Sequence, residues 1–275
     1  MSNTTSPSET WSLKGKTAII TGGSRGIGSG IAIHFARKGL SNLAITYVAN
    51  KAAADNTVEQ CRDLGVKNVI AIQADVTDPT IGPKIIKDAL DGLNVTTIDI
   101  LVNNALLADI SRASDVTTLQ AEGFSEMMIA NVYSPVSLTV AFMEHAPKYG
   151  GRVINISSIA SKIGNTNELM TYGASKAALD SFTRSFADKF ASTTGITFNT
   201  VAVGPTQTDS LATAMKHYPN FIEEQVKRIS AAPRIGNTDD IAYIVGFLAS
   251  EEGRWVNGAA VSANGGHRET LAVFG

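Results

Sequence analysis

Lys16-Thr-Ala-Ile-Ile-Thr21, running directly into Gly22-Gly-Ser-Arg-Gly-Ile-Gly28, decides how the rest of the chain is read. Thr17-Ala-Ile-Ile20 has the uninterrupted apolar and β-branched content of a strand buried on both faces. Glycines then end the strand, and Ile31, Phe35 and Ala36 follow at helical spacing. The order is strand, glycine turn, helix. Glycines here let the backbone approach a pyrophosphate, and the helix N-terminus offers unpaired N–H groups and the positive end of its dipole. By itself the spacing Gly22-x-x-x-Gly26-x-Gly28 is moderately specific, because many glycine turns bind nothing.

The same rhythm continues outward from this stretch. Strands are predicted at Leu43–Tyr47, Asn68–Gln73, Ile98–Val102, Gly151–Ile156, Ile196–Val203 and Ala259–Ser262, and helices at about 51–64, 80–92, 117–148, 171–192 and 238–249. Seven apolar strands alternating with helices predict an α/β, doubly wound Rossmann fold with a mostly parallel sheet covered on both faces. Residues 205–236 interrupt the alternation with Met215, His217, Tyr218 and Phe221, and their place beyond a strand's carboxyl end suits a substrate lid. The expected organisation is a loose extension over residues 1–13 and one domain over 14–275.

Composition narrows the partners. With 44% hydrophobic and 17% charged residues and a formal net charge of -2, the chain has no basic footprint for nucleic acid or an anionic membrane surface. Cys61 is the sole cysteine, which excludes an intrachain disulfide framework and fits a reducing compartment. The N-terminal residues lack the apolar core of a signal peptide, so a cytoplasmic protein is expected. His34, His145, His217 and His267 share no metal-ligand spacing, and Ser157-Ser158 has no nucleophile-elbow context.

In Met170-Thr-Tyr-Gly-Ala-Ser-Lys176, the phenol of Tyr172 and the ammonium of Lys176 are i,i+4 neighbours on a helix. A cation beside a phenol favours phenolate and draws its pKa down toward a working range. Together with the glycine turn, Asn103-Asn-Ala105 after the fourth strand, and Ser158 after the fifth, this pattern closely resembles the short-chain dehydrogenase/reductase family over roughly residues 13–266. The likeness is to single-domain ketoreductases, near 3-oxoacyl-carrier-protein reductases and fungal naphthol-reductase-type members.

The resemblance implies a catalytic tetrad of Asn131, Ser158, Tyr172 and Lys176. Tyr172 is the general acid for carbonyl reduction, Lys176 lowers its pKa and holds the nicotinamide ribose, Ser158 binds the substrate oxygen, and Asn131 supports a water relay. Taken singly, Ser158 also suits a turn cap and Asn131 a helix kink. Cofactor contacts are implied at Gly22, Ser24, Arg25, Gly26, Ile27, Gly28, Asp75, Val76, Asn103, Ala105, Tyr172, Lys176 and Thr208, with helix capping open as another use of Asp75 and of Thr208. No acid follows the second strand before Asp55, while Arg25 and Lys51 are cations suited to a 2′-phosphate, so NADP(H) is preferred.

Three departures from the family pattern stand out. Leu106 replaces the glycine of Asn-Asn-Ala-Gly, Val203 replaces the proline before Gly204-Pro205, and the gap from Ser158 to Tyr172 is one longer than the commonest. The expectation is a reversible NADPH-dependent ketone reductase acting on a small molecule, without a metal. Homo-oligomers, dimers or tetramers, are expected through the helices near 117–148 and 171–192. Two alternatives are a non-redox biosynthetic enzyme (cyclase, dehydratase or isomerase) on the same fold and a cofactor-binding regulator.

Overall fold

The computed structural model describes residues 10–107, 115–209, 211–212 and 220–271. Met215, His217 and Tyr218 lie outside the described residues, as does the side chain of Phe221. The described strands are β1 (Thr17–Ile20), β2 (Asn42–Tyr47), β3 (Asn68–Gln73), β4 (Ile100–Asn103), β5 (Arg152–Ser158), β6 (Thr197–Val203) and β7 (Ala260–Ala263). The helices are α1 (Gly26–Arg37), α2 (Lys51–Asp63), α3 (Ile81–Leu93), α4 (Ala121–Met128), α5 (Ser134–Met143), α6 (Met170–Thr194), α7 (Phe221–Arg228) and α8 (Thr238–Ala249).

All seven strands run parallel in the order β3-β2-β1-β4-β5-β6-β7. Alternation along each strand divides the core between two helix layers. Ala18, Ile20, Leu43, Ile45, Val102 and Ile154 face Ile31 and Phe35 of α1, Val58 of α2 and Leu248 of α8. Ile19, Ala44, Leu101, Val153 and Phe198 face Ile85 of α3, Phe142 of α5 and Phe186 of α6. Among the described residues no helix is long and apolar enough to cross a membrane.

Local chemistry sets the helix ends. α6 stops at Gly195, whose φ of 67° places it in the left-handed region while its N–H donates to the Ala191 carbonyl. α8 starts on a reciprocal cap between Asn237 and Asp240, and Arg234 pairs with the Asp240 carboxylate at 2.6 Å.

The region expected as one helix over 117–148 is broken. It comprises a 3₁₀ turn at Val116–Thr118, α4, a π turn at Ile129–Tyr133, and α5, which ends at Met143. Pro135 explains the break. It has no N–H to give to the carbonyl of Asn131 four residues earlier, so an α ladder cannot pass through. The chain widens instead to i→i+5 bonding, with Ser134 N–H donating to the Ile129 carbonyl.

Candidate active site

β1 lies between β2 and β4, so the chain leaves it toward opposite edges and a crevice opens at the carboxyl ends of β1 and β4. Its walls are close-fitting backbone. Gly22 and Gly26 have φ of 64° and 56°, and a β-carbon on Gly28 would come within 2.3 Å of the Gly22 carbonyl oxygen. Asn104 clamps the turn, its Nδ2 donating to the carbonyls of Thr21 at 2.8 Å and Gly22 at 3.2 Å. The Thr21 hydroxyl accepts from the N–H groups of Asn104 and Ala105, each at 2.9 Å. Thr21 and Asn104 were not among the sequence candidates, although the doubled asparagine facing the glycine turn was the available signal.

These residues fit a dinucleotide pyrophosphate. The first turn of α1 has no acidic residue, Arg25 stands at its N-cap without a side-chain capping bond, and the glycines leave the helix N-terminus open. Ser24 and Ile27 lie in the same turn, half-buried, with the Ser24 carbonyl accepting from Thr57 Oγ1 at 3.3 Å and Ile27 packed on the core.

The four tetrad positions come from three elements and converge one strand away. Ser158 ends β5, buried; Tyr172 and Lys176 lie on the first turns of α6; Asn131 sits in the π turn. The Tyr172 side chain hydrogen-bonds Ser158, whose Oγ also accepts the Ala160 N–H at 3.2 Å, so the turn-capping use of Ser158 coexists with this contact. Lys176 is 2% exposed, with Nζ donating to the Ile156 carbonyl at 2.9 Å and lying 5.8 Å from the Tyr172 ring centre. Asn131 ties the site together: Oδ1 accepts the Leu107 N–H at 2.9 Å, and Nδ2 donates to Ser175 Oγ at 3.2 Å and toward the Met127 sulfur.

Electrostatics here differ from the sequence expectation. Burial pushes the Tyr172 phenol above its ordinary range, and the Ser158 hydrogen bond only partly offsets this. Burial also draws Lys176 down to about 8, opposed by the Asp180 carboxylate. Lys176 makes its hydrogen bond to the strand. Its ammonium donates to a backbone carbonyl rather than to the phenol oxygen, and desolvation governs both groups.

Other candidates divide by where their side chains go. Thr208 reaches the glycine turn, with its Cγ2 3.3 Å from where a Gly26 β-carbon would sit, while its Oγ1 also accepts the Leu211 N–H at 3.2 Å as a cap does. Asp75 is exposed and accepts the Thr77 N–H at 2.9 Å, and buried Val76 gives its carbonyl to Ser134 Oγ at 2.7 Å. The Asn103 amide turns into the helix layer, donating to Asn155 Oδ1 at 2.7 Å and Thr139 Oγ1 at 3.2 Å, while Asn155 donates onward to Thr183 Oγ1 at 2.8 Å. Its side chain is thus engaged with interior partners. Lys51 pairs with Asp55 at 2.7 Å on an exposed face.

Leu106 is half-buried and has no positive φ, so its β-carbon is accommodated without left-handed backbone. A cavity of about 600 Å³ lined by Ile229, Arg234, Ile241 and Leu271 lies apart from all four tetrad residues.

A family model described as enoyl-(acyl carrier protein) reductase matches residues 22–268. Over 265 residues the chain is 58% identical to the short chain dehydrogenase penD of Penicillium thymicola, covering 96% of each. The chain belongs to the short-chain dehydrogenase/reductase family. It is an oxidoreductase of that family. A short chain dehydrogenase of Burkholderia cenocepacia, solved in complex with NADP, superposes with a TM-score of 0.82 at 33% identity, covering 93% of this chain and 98% of the other. The angucycline C-6 ketoreductase LanV with bound NADP gives 0.82 at 30% identity, covering 93% and 96%.

Proposed function

We propose that this family member is an NADPH-dependent carbonyl reductase that converts a ketone to a secondary alcohol, reversibly. The observation that carries this reading is the Tyr172 phenol bonded to Ser158 above the buried Lys176, beside a crevice built of glycine backbone. Bound NADPH supplies the hydride at its nicotinamide ring. The chain's own residues do the rest. Ser158 donates to the carbonyl oxygen and polarises it, and Tyr172 gives that oxygen its proton as negative charge develops. A phenol held above its ordinary range stays protonated through neutral pH, as an acid must. Lys176 places a positive charge beneath the reacting oxygen while it remains protonated, and Asn131 holds the α6 and β4 sides of the site in register.

The 2′-phosphate preference rests on Arg25 at the α1 N-cap, together with Tyr47 and Val48 where an acidic residue would select the unphosphorylated form. Thr208 beside Gly26 suits a contact near the nicotinamide, and residues 205–236 serve as the substrate lid. Exposed Phe124, Tyr133, Val140, Phe182 and Phe190 support self-association through α4, α5 and α6.

The test is Tyr172→Phe. Its reduction of a ketone panel, followed by loss of NADPH absorbance, should fall about a thousandfold or more while NADPH still binds. Turnover near that of the parent would defeat the mechanism.

A further inference from the structure

We propose that Asp180 is a positioning residue of this site, a buried carboxylate that fastens the turn carrying Ser158 to the helix carrying Tyr172 and sets a negative charge one helical turn from the Lys176 ammonium. This deepens the reductase reading and rests on it. The Asp180 side chain is 1% exposed, and charged groups are rarely buried unless compensated. Oδ2 accepts the Ser161 hydroxyl at 2.8 Å and pairs with Lys162 Nζ at 3.1 Å. Oδ1 has no hydrogen-bond partner among the described residues. A buried carboxylate oxygen left without a donor is costly, and a nearby cation is what offsets it. Lys162 provides one such cation in direct contact, and Lys176, one helical turn earlier on α6, lies within electrostatic reach as a second.

Two links run from Asp180 to the reacting groups. One is mechanical: Ser161 Oγ lies 2.8 Å both from the Asp180 carboxylate and from the Ser158 carbonyl, so α6 is tied to the residue that faces Tyr172. The other is electrostatic. Of the titratable groups facing Lys176, Tyr172 and Asp180 come from its own helix, while Lys162, from the turn after β5, meets the Asp180 carboxylate. β5 offers the Ile156 carbonyl and the π turn offers Asn131, which are both uncharged. Among the described residues, Asp180 is the one group whose charge opposes the loss of the Lys176 proton on burial.

The experiment uses the full chain with three variants. In Asp180→Asn the basic limb of the kcat/KM profile for ketone reduction should move down by about one pH unit, and kcat at pH 6 should fall about as far as in Ser161→Ala. In Ser161→Ala, kcat should fall while the limb stays in place. The double variant Lys162→Met/Asp180→Asn removes the ion pair as a unit, so the test survives if the single asparagine variant does not fold; its limb should also move down.

A readout independent of turnover is the ¹³Cε shift of Lys176 against pH, assigned by its disappearance in Lys176→Met. Its midpoint should fall in Asp180→Asn or in the double variant. An unmoved midpoint overturns the proposal, as does a moved midpoint with an unmoved kinetic limb, or a Ser161→Ala limb that moves as far as that of Asp180→Asn. Failure of the reductase reading has a different signature: Tyr172→Phe keeps turning over, while the Lys176 midpoint still reports on Asp180.

Discussion

The two halves of the crevice are held by different physics. On the β1 side, glycine backbone lies against backbone, and what matters is the absence of atoms: Gly28 cannot carry a methyl without striking the Gly22 carbonyl. On the β5 side, an ammonium and a carboxylate are buried next to a half-buried phenol, and what matters is the presence of charge and its desolvation. The first half should respond to volume and the second to pH.

Gly28→Ala applies the harshest test of this contrast. Its β-carbon would sit 2.3 Å from a backbone oxygen, which is not the movable tip of a side chain. A loss of about 2–4 kcal/mol is expected from denaturant melts, together with loss of NADPH binding. Parent-like stability would show that the turn has slack. Tyr172→Phe removes a single oxygen at a partly exposed position and should leave the melting temperature nearly unchanged.

The next test is pH. Burial holds Lys176 at about 8 against an ordinary 10.5. Between those values the unfolded chain keeps a proton that the folded chain has released, so stability should rise with pH across that window, by an amount on the order of 2 kcal/mol. Tyr172 works in the opposite sense above about pH 10, where the unfolded phenol ionises before the folded one. Urea midpoints from pH 7 to 10 should show the rise, and Lys176→Met should flatten it. An identical slope in that variant would place the titration elsewhere.

Smaller effects are expected at the cofactor's phosphate. Arg25→Ala should weaken NADPH binding by about tenfold and leave NADH nearly unaffected, measured by fluorescence titration. Lys51→Ala should change NADPH affinity by no more than about twofold, since its ammonium is already engaged by Asp55 in the open. Equal losses for both would make Lys51 a phosphate ligand on a par with Arg25.

Strand positions were legible in the sequence to within two residues, because buried parallel strands are written as continuous apolar runs. The glycine turn and the i,i+4 spacing of Tyr172 and Lys176 were equally plain, being local. Pro135 announced the π turn, but a broad apolar pattern over 117–148 masked it. The direction of the Tyr172 shift was not legible, since burial depends on which elements close over the phenol. The inward turn of Asn103 was legible in principle: Leu101, two residues earlier, faces the α3–α5–α6 layer, and so must Asn103. Asp180 carried a similar signal, one helical turn beyond Lys176.

The chain of amides from Asn103 through Asn155 to Thr183 crosses two strands and reaches a helix inside an otherwise oily layer. Sliding β4 past β5 by a single residue would flip one amide to the opposite side and strand the other among hydrocarbon. Misaligned assemblies that a greasy seam would tolerate are thereby penalised, and α6 can dock at only one height, the height that brings its phenol level with the end of β5.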